Sequence, residues 1–160
     1  MQVGCSLRVS LYATVTVLLL LLPHTSAQAQ VRLNDKDLEH IMKNLHEDAK
    51  DFREAFDASV HKSAIRNTSQ DKNARGLAEQ FERQADDMYK HFKGSKKAEG
   101  YVWPIVRTAG DLDGLVYSLS LDSKTTLSWE KVRSELRQIS NSFGVAEPSA
   151  QTPATVPSGE

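Results

Sequence analysis

The chain has 160 residues, of which 39% are apolar, 26% charged and 7% aromatic. That balance is too hydrophobic for an intrinsically disordered chain and too polar for a multispan membrane protein. Twenty Lys and Arg against twenty-one Asp and Glu leave a formal charge of −1, so no overall field steers the chain to nucleic acid. Cys5 is the only cysteine, which excludes intrachain disulfides, thiolate zinc clusters, CxxC redox chemistry and covalent c-type haem attachment.

The first thirty residues read as an address. Arg8 supplies a positive start, residues 9–22 form a short apolar run, and Pro23 breaks it ahead of TSAQA. A spanning helix needs roughly 20 apolar residues, and this run is shorter. Ala27-Gln28-Ala29 has the A-x-A form that signal peptidase accepts. The expectation is a cleaved signal peptide over 1–29, a mature chain without thiol, without a membrane span and with a net charge of −2, and a secreted or periplasmic location.

Residues 30–145 are predicted to form a single helical domain. Leu38, Ile41, Leu45, Ala49, Phe52, Phe56 and Val60 recur at steps of three and four, the spacing of one apolar helix stripe. Asn34 is its N-cap, Asp37 falls at the third helical position, and Leu33 can staple to Leu38. This first helix is predicted over 35 to about 63, with a solvated acidic face and i,i+4 pairs such as Glu39/Lys43.

Thr68-Ser69-Gln70-Asp71 makes a capping box for a second helix, which carries Ala74, Leu77, Ala78, Phe81, Ala85, Met88 and Phe92 before Gly94. Val102, Ile105, Val106, Ala109, Leu112, Val116 and Leu119 mark a third over 101–121, with Pro104 in or near its first turn. Gly110, Gly114 and Ser118 lie four apart on it, a small-residue ridge expected to admit a neighbouring helix. For the fourth, Ser128 is the predicted cap and Leu127 the staple to Val132. Trp129, Val132, Leu136, Ile139 and Phe143 form its stripe, Gly144 its stop, and Val145 packs back on that end. Residues 146–160 are rich in Pro, Ser and Ala with almost no apolar bulk, the composition of a disordered tail. Four such segments with short links predict an antiparallel up-and-down four-helix bundle.

The order Phe52-Arg53, Phe56-Asp57, Ser63, Asn67-Thr68, Phe81-Glu82, Arg107 with Ala109, Leu112-Asp113, then Trp129, Arg133, Leu136 and Phe143-Gly144-Val145 resembles a family of secreted acidobacterial helical proteins of unknown function. The resemblance covers roughly residues 33–145. Gly110, Gly114 and the Pro/Ser tail depart from it. It implies an extracytoplasmic helical protein and carries over no catalytic or binding residue.

Metal binding is the sharpest chemical reading. Asp57/His61 and Asp87/His91 are each one turn apart, a spacing that can chelate a divalent ion. Both pairs flank the apolar stripes, however, and the Glu-x-x-His motif of di-iron bundles is absent from the sequence. Noncovalent haem would need Met42 or Met88 facing an inward histidine; no cofactor is expected. No serine sits in a G-x-S-x-G elbow, and the chain is expected to be no enzyme. Asp111-Leu112-Asp113-Gly114 opens like a calcium loop but its glycine arrives two positions early. Asn67-Thr68-Ser69 fits a glycosylation sequon that capping already explains.

For binding, Lys90, Lys93, Lys96 and Lys97 cluster near Gly94. This basic turn can touch an anionic envelope surface, and lysines near a helix C-terminus also favour its dipole. Tyr101, Trp103 and Tyr117 are candidates for an aromatic patch near the third helix. The expected role is a non-catalytic structural or interaction module of the cell envelope, its partner an envelope protein or anionic surface. A metal- or small-ligand-binding bundle is the alternative.

Overall fold

A computed structural model describes residues 33–145, so the predicted leader at 1–29 and tail at 146–160 lie outside the described residues. Within them run four helices: α1 (Asp35–Val60), α2 (Ser69–Ser95), α3 (Glu99–Ser118) and α4 (Ser123–Phe143). No strand occurs among the described residues. The protein is all-α, as its periodicity predicts.

Each helix packs on its neighbour in the chain, and α4 closes the ring against α1. Partners run in opposite order along every seam. Glu39 meets Lys96, His46 faces Asp86 and Arg53 pairs with Glu82 between α1 and α2. Ser59 meets Asp122, Ala55 meets Thr125 and Asp48 meets Lys131 between α1 and α4. The same reversal joins α2 to α3 through Gln80/Thr108 and His91/Tyr101, and α3 to α4 through Asp113/Arg133 and Tyr117/Glu130. Short links leave long helices no other arrangement.

The apolar stripes meet as predicted. Of the residues that define them, only Ile41, Leu77, Leu119 and Phe143 stop at half-buried; the rest are buried. Phe52, Phe56, Phe81 and Trp129 form an aromatic centre, with Phe52 and Trp129 centroids 4.7 Å apart and Phe81 edge-on to Trp129 at 5.7 Å. Each such side chain contributes about 1.5–3 kcal/mol by leaving water. Met42 and Met88 are fully buried fillers of this core.

Caps fix the helix starts. The Asn34 side chain accepts from the Asp37 amide at 3.0 Å, and Leu33 rests on the core beside it. Thr68 caps α2 as expected, accepting from the Asp71 amide at 3.3 Å, while Asp71 reaches back to the Asn67 amide at 2.8 Å. Asn67 takes a left-handed φ of 62°, which its short polar side chain tolerates.

Five boundaries depart from the sequence expectation, one of them the end of α3 at Ser118 rather than 121. α1 stops at Val60, because the Ser63 hydroxyl takes the Val60 carbonyl at 2.8 Å and turns the chain. α2 passes through Gly94 to Ser95, and Lys96, at φ 57°, ends it. α3 begins at Glu99, so Pro104 falls in the second turn and denies the Gly100 carbonyl its i+4 N–H donor. α4 begins five residues before Ser128: Asp122 accepts from the Thr125 amide at 2.9 Å, and Leu127 is 71% exposed rather than stapled. Its end is as predicted, with Gly144 left-handed and the Val145 amide donating to the Ser140 carbonyl at 2.9 Å.

The small-residue ridge is also corrected. Gly110, Gly114 and Ser118 are exposed, and a Cβ on Gly114 would meet nothing within 4 Å. Gly114 and Ser118 lie on the side of α3 away from Val102, Ile105, Ala109 and Leu112, so burying the apolar stripe turns them to solvent, while Gly110 sits at its flank and borders the α3/α4 cavity with Trp129 and Leu136.

Candidate functional site

The two Asp/His pairs do not form a shared site. They stand at opposite ends of the antiparallel α1/α2 pair, and each member has another partner or faces water. Asp57 accepts from Arg53 at 3.3 Å, and the exposed His61 lies 3.4 Å from the Arg75 guanidinium. His91 packs on Tyr101 with ring centroids 4.7 Å apart, and Asp87 is exposed. Among the described residues no group of three His, Cys, Asp or Glu side chains is placed to hold a metal ion. Met42 and Met88 are sealed in the core, while none of the four described histidines is buried.

The basic turn is half spent. Lys90 donates to Asp86 at 2.6 Å, and its charge is held more firmly by that hydrogen bond. Lys96 crosses to Glu39 on α1, which therefore pairs between helices rather than with Lys43; Lys43 bonds Glu47 at 3.1 Å. Lys93 lies 5.9 Å from the Tyr89 ring and, with Lys97, has no acidic partner among the described residues. Two ammonium groups remain open to a ligand where four were expected.

The three aromatics of α3 do not gather. Tyr101 sits on His91, Trp103 carries Arg107 at 5.9 Å from its ring, and Tyr117 donates to Glu130 of α4. Trp103 is 59% exposed, more than Tyr101 or Tyr117. Beside it, Leu77, Gln80 and Gln84 of α2 and Pro104, Arg107, Thr108 and Asp111 of α3 line an open groove of about 370 Å³. Gln80 donates to the Thr108 hydroxyl at 3.4 Å, and that hydroxyl donates to the Pro104 carbonyl at 3.1 Å. The Gln84 amide oxygen is closed off from solvent without a protein partner.

Between α1 and α4 lies a feature that the sequence reading missed. Asp48 and Glu135 are each only 8% exposed, and Lys131 donates to Asp48 at 2.7 Å. Asp48 Oδ2 and Glu135 Oε2 are both buried acceptors without a donor, a conflict that a retained proton on one of them resolves. Burial first, then the hydrogen bond and negative charge of Asp48, push the Glu135 carboxyl up to about 8, against the pull of Lys131. The signal was present in the phase: Asp48 lies three after Leu45 and four before Phe52, and Glu135 three after Val132 and four before Ile139, both inside their stripes.

A second missed network spans α3 and α4. Asp113, from the stretch that opens like a calcium loop, is helical, accepts from the Trp129 indole at 2.8 Å and forms an ion pair with Arg133 at 3.3 Å. The cavity beside it, lined in part by Gly110 and Leu136, holds about 30 Å³, room for one water. Its groups serve the fold, satisfying a buried indole N–H.

No family model, curated protein or solved structure matches the chain.

Proposed function

We propose that the chain is an exported, non-catalytic interaction module of the cell envelope, built on a self-sufficient four-helix core. The observation that carries this reading is how the charged side chains are used. Arg53, Lys96, Lys131 and Arg133 each bridge two helices through an acid, so these groups hold the bundle together rather than converge on a reacting centre. An activated nucleophile or acid/base pair needs that convergence.

The resemblance to secreted acidobacterial helical proteins and the leader-like start support a location outside the cytosol. Contact with an anionic envelope surface then rests on Lys93 and Lys97, at the end of the bundle where α2 turns into α3. Each unpaired cation near such a surface is worth about 1 kcal/mol, which makes the contact weak, reversible and salt-sensitive. Among the described residues no helix is long and apolar enough to cross a membrane, so this contact is peripheral.

Cosedimentation of the purified exported chain with phosphatidylglycerol-containing vesicles tests the reading. Binding is expected at low salt and lost at high salt, and abolished by Lys93→Glu with Lys97→Glu. Substituting Lys90, already engaged by Asp86, has a smaller effect. Equal sedimentation with neutral phosphatidylcholine vesicles, or no change in the double variant, removes the anionic-surface contact.

A further inference from the structure

We propose that the α2/α3 groove beside Trp103 binds a neutral saccharide, with one pyranose ring against the indole and its hydroxyls bonded to Gln84, Arg107 and Asp111. This site is separate from the lysine contact and stands on different residues.

A single exposed apolar side chain means nothing by itself on a protein surface. Trp103 differs in what surrounds it. The indole borders a concavity of about 370 Å³, within the size range of small-molecule sites. Four residues further along, one turn on, Arg107 places a guanidinium 5.9 Å from the ring. Asp111 follows at the same interval, so α3 presents a flat platform, a donor and an acceptor along one edge. From α2 comes the Gln84 amide, whose oxygen is buried and unpaired.

That orphan oxygen selects the ligand chemistry. It is an acceptor shut off from solvent in the free protein, so once the Gln84 side chain turns into the groove the ligand must bring it a donor. Carboxylates and phosphodiesters are acceptors only and leave it unsatisfied. The formal charges of Arg107 and Asp111 cancel, which favours neither an anion nor a cation. Apolar lining is confined to Leu77, Pro104 and the Trp103 ring, too little to bury a hydrophobic peptide side chain. A sugar ring meets every condition: its C–H face packs on an indole, and its hydroxyls each donate and accept.

A larger groove lies between α1 and α2, about 720 Å³ and bordered by His46, Arg53, Glu82 and Asp86. Its charged groups already pair with one another, Arg53 with Glu82 and Asp86 with Lys90, and the His46 Nδ1 that lacks a hydrogen bond already faces an Asp86 oxygen 3.6 Å away, so the groove offers a ligand no group that a carboxylate does not already hold. The Asp48/Glu135 pair is closed by Lys131 and by the α1/α4 packing.

The test uses the two tryptophans as internal reporters. Trp129 is fully buried and Trp103 exposed, so the purified exported chain has two indole N–H signals in a ¹⁵N correlation spectrum, assigned with Trp103→Phe. Cellotriose, maltotriose and chitotriose are titrated separately to millimolar concentration. With at least one, the Trp103 signal is expected to shift saturably while Trp129 stays fixed. Trp103→Ala should weaken binding by about tenfold or more by calorimetry, and Gln84→Leu by several-fold, with the far-ultraviolet dichroism spectrum of each unchanged. An unmoved Trp103 signal with all three sugars overturns the site. So does a shift that inorganic phosphate reproduces, or an affinity that survives both substitutions.

Discussion

The α1/α4 seam and the α2/α3 seam are built from similar amphipathic helices and end in opposite conditions. Along α1/α4 the polar groups are drawn inward and consumed. Thr125 donates to the Ala55 carbonyl at 3.1 Å, the Asp122 amide donates to Ser59 at 3.2 Å, and Lys131 closes over the buried carboxyl pair. Along the outer edge of α2/α3 an indole and an amide oxygen are left unspent. Placement makes the difference. Asp48 and Glu135 sit in phase with apolar stripes and must be buried, whereas Trp103 and Arg107 lie outside the stripe of α3 and stay in reach of solvent. Polar groups forced into a seam become structure; groups left beside one remain free to bind.

The largest effect expected is at the sealed seam. Phe52→Ala removes a fully buried ring tilted against Trp129 across α1/α4 and should cost about 3–5 kcal/mol in urea unfolding. A loss below about 1 kcal/mol would mean that the seam is loosely packed and the contrast with α2/α3 unreal.

Next is Glu135→Gln. The folded state raises this carboxyl from its ordinary 4.5 to about 8, so between those values the native protein holds a proton that the unfolded chain releases. Stability must therefore fall as pH rises through that window, and the fall is complete above the upper value. Glutamine cannot ionise, and its N–H₂ can donate to Asp48. At pH 8 the variant should be more stable by about 1–3 kcal/mol, well short of the full shift because the seam relaxes and admits water. At pH 4 the two proteins should converge. Urea titrations across pH decide it: the same decline in E135Q as in the wild type would remove the carboxyl pair as its source.

Much of this architecture was legible from residue order, and the failures have local physical causes. The stripes of all four helices and the caps at Asn34, Thr68 and Gly144 were readable because each depends on neighbours within one turn. The start of α4 was not. Ser128 with Leu127 carries a fair local cap and staple, but Asp122 prevails, and the buried bond from Thr125 to the α1 carbonyl helps hold the first turn there. No local rule contains that tertiary contact. The small-residue ridge misleads for the converse reason: four-residue spacing by itself does not say on which side of the Val102/Ile105/Ala109 stripe the residues fall. The groove was invisible because Gln84 and Trp103 belong to different helices, and only the antiparallel docking of α2 on α3 brings them together.

The outer side of α3 offers two smaller tests. Gly114 is helical, exposed and faces open space, so Gly114→Ala should add about 0.5–1 kcal/mol by restricting the unfolded chain without meeting a neighbour. Destabilisation would restore the close helix approach that the spacing of Gly110 and Ser118 had suggested.

Smallest of all is the stability effect of Trp103→Ala. Its side chain lies mostly in water and covers only the groove, so truncation should change the unfolding free energy by no more than about 0.5 kcal/mol. The contrast with Phe52 is the sharpest form of the comparison: two large aromatic side chains, both removed to Ala, with an expected ratio of costs near tenfold. A loss of several kcal/mol would make Trp103 part of the core, fastening α3 to α2 through Leu77 and Pro104. Near neutrality would leave its exposure uncompensated by folding, and the reason for a tryptophan at this position would have to be sought in what the groove binds.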